Sequence, residues 1–287
     1  MLDPSLGRDS VDRMKNWLIT GCSSGFGRAL VEAALAAGDQ VVATARRPET
    51  LDGLGATRTA ALDVTDEDQV ERVVAGAVRD LGRLDVVVNN AGNGSVGAVE
   101  ELTMAELRAI MDVMFFGAVA VTKAALPHLR AQQSGTFVQI SSMGGQVTMP
   151  GFGAYCAAKF ALEGISESLA AEVAPFGVRV VIVEPGAFRT GFGGGGMHRS
   201  RTIEVYGIST SQTRGAVDSM DGAQPGDPAK AAAAIVEAVN RPDAPLHLAL
   251  GDDAVEAIAA AQASRAADLR AWEQVSRGTA GDWSRTG

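Results

Sequence analysis

Asn16-Trp17-Leu18-Ile19-Thr20-Gly21-Cys22-Ser23-Ser24-Gly25-Phe26-Gly27 is a short apolar run that breaks into glycines. The run reads as a strand. The segment after it, Arg28 to Ala37, carries Leu30, Val31, Ala34 and Leu35 at helical spacing and stops at Gly38. Strand, glycine-rich turn and helix in that order is the context in which a phosphate group is bound. Glycines let the backbone bend sharply, and the free N–H groups and dipole at the helix N-terminus favour negative charge. The spacing Gly21-x-x-x-Gly25-x-Gly27 differs from the commoner G-x-G-x-x-G fingerprint, so taken alone the turn leaves a purely structural role open.

Outward from this unit the alternation repeats. A second strand, Gln40 to Thr44, ends at Ala45-Arg46-Arg47. A third, Thr59 to Leu62, ends at Asp63-Val64 and leads into a helix that Thr65 or Asp66 caps and that runs to Leu81. The fourth, Leu84 to Val88, is continuously apolar, as a strand buried on both faces should be, and ends in Asn89-Asn90-Ala91-Gly92. A helical pattern from Thr103 to about Arg130, interrupted by Gly117 and Pro127, precedes a fifth strand, Thr136 to Ile140, and Ser141-Ser142. A helix opening at Gly151 and running to about Val173 precedes a sixth strand, Val178 to Val183, and Glu184-Pro185-Gly186. A last strand, Leu246 to Leu250, and a helix from about Asp252 to Val275 follow. The pattern predicts a doubly wound, seven-stranded parallel sheet with helices on both faces, whose ligands lie beyond the carboxyl ends of the strands. A domain over residues 15–275 is expected between tails at 1–14 and 276–287. Residues 187–226, loosened by the glycines from Gly191 to Gly196, show no long periodic segment before Asp227-Pro228 and read as a substrate loop. Phe188, Phe192, Met197 and Tyr206 would line it.

Two side chains on the helix that opens at Gly151 carry chemistry. Tyr155 and Lys159 stand one helical turn apart. A lysine charge about 4 Å from the phenol, at an effective dielectric near 20, would favour the phenolate by about 4 kcal/mol, or roughly three pKa units. The pair would then exchange protons near neutral pH. At the end of the second strand an acid would hold the ribose 2'-hydroxyl of NAD, whereas arginine accommodates the 2'-phosphate of NADP. Arg46 and Arg47, with no acid, favour NADP(H).

Composition bounds the partners. The 287 residues are 46% hydrophobic and 21% charged, with 34 glycines and a net charge of -9, so nucleic acid is not an expected partner. The N-terminus lacks a signal-like apolar stretch and no uncharged apolar run of spanning length is present, so no membrane role is expected. Cys22 and Cys156 form no metal spacing or disulfide framework, which fits a reducing cytoplasm, and His128, His198 and His247 are scattered. No metal site is expected.

Together these residues resemble the short-chain dehydrogenase/reductase family. The resemblance rests on Thr20-Gly21-x-x-x-Gly25-x-Gly27, Asn89-Asn90-Ala91-Gly92, Ser142 thirteen residues before Tyr155, Tyr155-x-x-x-Lys159 and Pro185-Gly186, in the family's order over about residues 15 to 250. Residues 127–190 and the carboxyl-terminal extension look like bacterial relatives of the hydroxysteroid and retinol dehydrogenase branch. The resemblance implies a Rossmann-like fold and hydride transfer between a nicotinamide and a carbonyl or alcohol of a fairly large apolar small molecule. It implies that Ser142 bonds the substrate oxygen, that Tyr155 passes the proton, and that Lys159 binds the nicotinamide ribose. The cofactor site it implies comprises Gly21, Ser23, Ser24, Gly25, Phe26, Gly27, Arg46, Asp63, Val64, Asn90, Ala91, Gly92, Tyr155, Lys159, Pro185, Gly186, Phe188 and Thr190. Gly144, Gln146, Phe152 and Phe192 are candidates for the substrate side, and a homodimer or homotetramer is expected.

One position departs. Many members carry an asparagine three residues before the glycine of Asn-x-Phe-Gly, holding a water that links the lysine to solvent. Here the segment reads Met114-Phe115-Phe116-Gly117, and methionine is a weak acceptor. Two other readings therefore stand beside the reductase: a low-turnover NADP-binding sensor or scaffold, and a cofactor-retaining epimerase or dehydratase.

Overall fold

The computed structural model describes residues 13–192, 196–219 and 222–281. Residues 1–12 and 282–287 of the two expected tails, and Gly193 to Gly195 of the glycine run, lie outside them. The first strand, β1 (Asn16–Ile19), leads through the glycine turn into α1 (Gly25–Ala36), then β2 (Gln40–Ala45), β3 (Arg58–Ala61), α2 (Glu67–Leu81) and β4 (Val86–Asn89). After a short strand, β5 (Gly94–Val96), come α3 (Met104–Met111), a π-helical turn (Asp112–Phe116) and α4 (Gly117–Gln132). β6 (Gly135–Ile140), α5 (Gly153–Val173) and β7 (Val178–Pro185) complete the alternation.

The main sheet has seven strands, all parallel; β8 (Met197–Arg199) lies outside it and β9 (His247–Leu250) forms its last edge, giving the order β3-β2-β1-β4-β6-β7-β9. β1 lies between β2 and β4, so the chain first winds one way and then returns to wind the other. A crevice opens at such a reversal, beyond the carboxyl ends of the strands.

Period-two alternation assigns the two cores. Trp17 and Ile19 face α1 and α7 (Pro228–Asn240) through Leu30, Val31, Ile235 and Val239, whereas Leu18 faces α2, α4 and α5 through Val70, Val121, Leu129 and Leu169. Fully buried Leu18, Ile19 and Phe137 each contribute about 1.5–3 kcal/mol. Capping follows the residues. Asp66 accepts from the backbone of Gln69 at 2.9 Å at the start of α2, and Thr103 and Glu106 form a reciprocal capping box on α3.

Three expectations need correction. The helical pattern after Thr103 is one run broken by the π turn, and Gly117 is not a stop. A Cβ there would lie 2.6 Å from Val64 Cγ2, so Gly117 permits close helix packing. Met104–Gln132 is long and apolar enough to cross a membrane by length and composition, yet Val121, Ala125 and Leu129 spend its apolar face on the sheet. Residues 187–226 are more ordered than expected: β8 pairs in parallel with β5, and α6 (Gly207–Ser219) follows. Thr210 is the one buried residue of α6, so no amphipathic period betrays it. The last helix divides into α8 (Asp252–Ala271) and α9 (Glu273–Arg277), because Trp272, at φ -107° and ψ 7°, leaves the helical region.

Candidate active site

The glycine turn is shaped by close approach. Gly21 and Gly25 have φ of 72° and 57°, a region most side chains avoid. A Cβ on Gly27 would sit 2.4 Å from the Gly21 carbonyl and 2.5 Å from Asn90 Nδ2, so the turn tolerates no larger residue there. Thr20 and Asn90 stitch the ends of β1 and β4 together. The Thr20 hydroxyl accepts from the backbone of Asn90 at 2.9 Å and of Ala91 at 3.0 Å, and Asn90 Nδ2 donates to the Thr20 carbonyl at 2.8 Å. Ser24 caps α1 without a side-chain bond, which leaves its first N–H groups directed at the crevice.

Beyond the strand ends lies a cavity of about 730 Å³. Its wall includes Gly21, Ser23, Ser24, Gly25, Phe26, Arg46, Asp63, Val64 and Asn90 to Gly92 on one side, and Ser142, Tyr155, Lys159, Pro185, Gly186, Phe188 and Thr190 on the other. Gly27 lies beneath it. Arg46 is exposed at the rim and makes no hydrogen bond or ion pair with the described residues. Asp63 Oδ1 accepts from the Thr65 backbone and hydroxyl at 3.0 and 2.7 Å, which fixes the loop after β3. Phe188 packs on Phe26 at 5.1 Å between ring centroids, closing the cavity over the glycine turn.

Ser142 ends the loop from β6, and its hydroxyl accepts from the Gly144 N–H at 3.0 Å. Tyr155 occupies the first turn of α5, its ring edge against Phe152 and Phe192 at 5.9 and 5.5 Å. Lys159 Nζ lies 5.9 Å from the Tyr155 ring centroid and donates to the Ile140 carbonyl at 2.7 Å. The expected lowering of the phenol is overturned. Although part of Tyr155 faces the cavity, the surrounding protein pushes it up to about 12, and its hydrogen bond with Ser142 offsets only part of that. The Lys159 charge is spent on a carbonyl instead. Burial pulls Lys159 itself down to about 8, with Glu163 acting in the opposite direction.

The substrate candidates divide. Gly144, Phe152 and Phe192 line the cavity, with Met149, Pro150 and Met197 beside them. Gln146 does not; its Nε2 donates to Glu163 at 2.5 Å and to Glu184 at 3.2 Å, turned away from the cavity. Tyr206 does not line it either, because its hydroxyl donates to Glu100 at 2.6 Å. Met114 does, buried in the π turn.

Several residues carry no sequence signal for the site. Asp253 at the start of α8 accepts from the Ala187 N–H at 2.7 Å, and a Cβ on Gly186 would run into its carboxylate. Asn93 Oδ1 and Gln224 Oε1 are buried with no hydrogen-bond partner among the described residues, and both residues line the cavity. Glu163 and Glu167, one turn apart on α5, and the distant His247 bring ligand-type atoms within 4.8 Å of one another, although hydrogen bonds within the protein already engage Glu163 and His247.

A glycine cradle that excludes a Cβ, an open helix N-terminus, a free rim arginine and two orphaned amide oxygens fit a nicotinamide dinucleotide. The comparisons agree. The family described as short chain dehydrogenase matches residues 15–196. An oxidoreductase, BOA17, of Botryotinia fuckeliana is 39% identical over 93% of this chain and 99% of its own length. The 3-ketodihydrosphingosine reductase of Bacteroides thetaiotaomicron is 43% identical over 61% of this chain and 64% of its own. A short-chain dehydrogenase from Streptomyces avermitilis has a crystal structure with a TM-score of 0.89 at 50% identity, covering 94% of this chain and 99% of that one. With the parallel sheet, the glycine turn and the Ser142, Tyr155 and Lys159 constellation reached independently, the chain belongs to the short-chain dehydrogenase/reductase family, whose enzymes use NAD(P) to act on CH–OH groups.

Proposed function

We propose that this protein is an NADP(H)-dependent reductase of a carbonyl on a fairly large apolar small molecule, with Tyr155 as its general acid. The observation that carries this reading is the convergence of Ser142 and Tyr155 on a cavity whose wall also carries Met149, Pro150, Phe152, Phe192 and Met197. A bound nicotinamide supplies the hydride. The protein's part is to orient and to move the proton. The Ser142 hydroxyl donates to the substrate oxygen, where negative charge develops, and the Tyr155 hydroxyl delivers the proton. Lys159 presents a buried charge beneath Tyr155 and would hold the ribose. The apolar wall excludes water and favours an apolar substrate, in keeping with a relative named for reducing 3-ketodihydrosphingosine.

A panel of ketones and aldehydes of graded size, each with NADPH and NADH, tests the reading through loss of cofactor absorbance. Steady consumption of NADPH that rises with apolar size is expected. Tight NADPH binding without consumption on any compound would instead favour a sensor.

Arg46 supports the cofactor preference, since its exposed guanidinium stands at the rim of the cavity without a hydrogen bond or ion pair to the described residues. Arg46→Asp is expected to lower the NADPH-to-NADH ratio of kcat/KM by about 10- to 100-fold, the size of one charged hydrogen bond. An unchanged ratio would remove Arg46 from the 2'-phosphate.

A further inference from the structure

Behind the reacting face, α5 buries a second pair of groups. Lys159 and Glu163 stand four residues apart on this helix, 6% and 3% exposed. The Ser141 hydroxyl donates to Glu163 Oε1 at 2.5 Å, and Gln146 Nε2 donates to Glu163 Oε2 at 2.5 Å. Ser141 itself lies between Ile140, whose carbonyl accepts from Lys159, and Ser142. The carboxyl packs so closely that a Cβ on Gly145 would meet it. We propose that Glu163 is a positioning residue for the reaction: its carboxylate, one helical turn from Lys159 and clamped by Ser141 and Gln146, keeps the buried ammonium charged.

The groups around Glu163 come from every neighbouring element. Lys159 and Glu167 share its helix. Glu184 approaches from β7, bridged through Gln146 Nε2 at 3.2 Å, and His247 of β9 lies 3.7 Å from Glu163 and 2.8 Å from Glu184. Arg265 of α8 donates to the Gln146 carbonyl. A second buried acid facing the same amide makes ionisation of Glu163 costlier, so Glu163 holds its proton in acid and releases it as pH rises. Burial pushes the Glu163 carboxyl above the usual range, the Ser141 bond pulls it partly back, and Glu184 pushes it up again. Once ionised, Glu163 opposes the desolvation that drives Lys159 down. The buried Met114 offers little help, because a thioether is a weak acceptor. Glu163 is therefore the acid that supports the Lys159 charge from within α5.

The inference rests on the proposed roles of Tyr155 and Lys159. Its test is Glu163→Gln, which preserves shape and an acceptor for Ser141 but removes the charge. The ratio of wild-type to variant kcat/KM for carbonyl reduction is expected to grow about tenfold between pH 6 and pH 9, equivalent to one unit in the Lys159 titration. A structural role alone would lower the rate by the same factor at every pH. Parallel or superimposable profiles would overturn the proposal. Thermal midpoints of the cofactor-free proteins give a second readout. A carboxyl whose folded pKa is raised stabilises in acid, and that stabilisation is lost as pH rises through the folded value. The wild type is thus expected to lose stability relative to Glu163→Gln from pH 5 to pH 8, and midpoints that stay parallel would overturn the assignment of a raised Glu163 carboxyl. Glu184→Gln removes the acidic neighbour and should move the wild-type transition to lower pH; a transition left in place would also overturn it. Tyr155→Phe in the same assay separates the two readings: if it stays active the proton-donor reading fails, whereas an inactive Tyr155→Phe with parallel Glu163→Gln profiles sinks this inference alone.

Discussion

Replacing Tyr155 by phenylalanine is expected to lower kcat for carbonyl reduction by about 10²- to 10⁴-fold, the usual worth of a positioned general acid. NADPH affinity should stay within about threefold, because the ring that packs on Phe152 and Phe192 is retained and only the hydroxyl is lost. The phenol is held at about 12 by burial, against a weaker pull from Ser142, so in the cofactor-free protein it carries its proton across the neutral range. That is the form a reduction needs. The reverse reaction needs the phenolate, and its rate should climb about tenfold per pH unit below the phenol's pKa, while reduction does not climb and falls only as Lys159 loses its charge above about pH 8. Rates of both directions from pH 6 to pH 9 check this. A phenylalanine variant with more than a tenth of wild-type activity would mean that the proton comes from elsewhere, with the Ser142 hydroxyl as the next group in reach of the same wall.

The fold is largely legible in the sequence because its signals are local. The run from Asn16 to Gly27 determines strand, turn and helix by itself, and the apolar runs Val86 to Val88 and Val180 to Val183 read as strands buried on both faces. The alternation of strands and helices then leaves few topologies. Asn90 shows where locality ends. Its place at a strand end marks it for the site, but its work in stitching Thr20 and Gly21 to β4 depends on two strands 70 residues apart becoming neighbours. Gln146 reads as a substrate contact from its place after Ser142, yet Glu163 and Glu184 capture its amide. Nothing in the spacing of residues 146, 163, 184 and 247 says that they meet. The same holds for the Tyr155 phenol, because spacing on a helix does not reveal that the Ile140 carbonyl competes for the lysine.

The segment over the cavity was the least legible, since α6 is held by one buried clasp and not by an apolar face. Glu101 lies near the surface but is fully covered. It accepts from the Ala98 N–H at 2.6 Å, the Ile203 N–H at 2.8 Å and Arg214 Nη2 at 2.6 Å. Ala98 belongs to the body, whereas Ile203 and Arg214 belong to the covering segment, so one carboxylate ties the two together. Glu101→Gln keeps the shape but turns an NH2 group toward donors and leaves Arg214 uncompensated. Breaking a buried pair from one side costs about 3–5 kcal/mol. The cost falls on the cover, so cleavage by a protease within residues 200–219 should accelerate about 10²- to 10³-fold or more, as expected when local opening becomes that much easier. The KM of an apolar ketone should rise with it, while kcat changes less because Ser142 follows β6 and Tyr155 and Lys159 sit on α5. The pH dependence has a definite sign. Burial alone would raise the Glu101 pKa, but the Ile203 and Ala98 N–H groups and Arg214 outweigh it and hold it below its ordinary value. Its stabilisation of the cover is therefore present above the ordinary carboxylate range and is lost as pH falls through the lowered value. Wild-type cleavage should speed up in acid, and the glutamine variant should show little pH dependence. Equal cleavage rates for the two proteins at neutral pH would show that the cover is held by something other than Glu101.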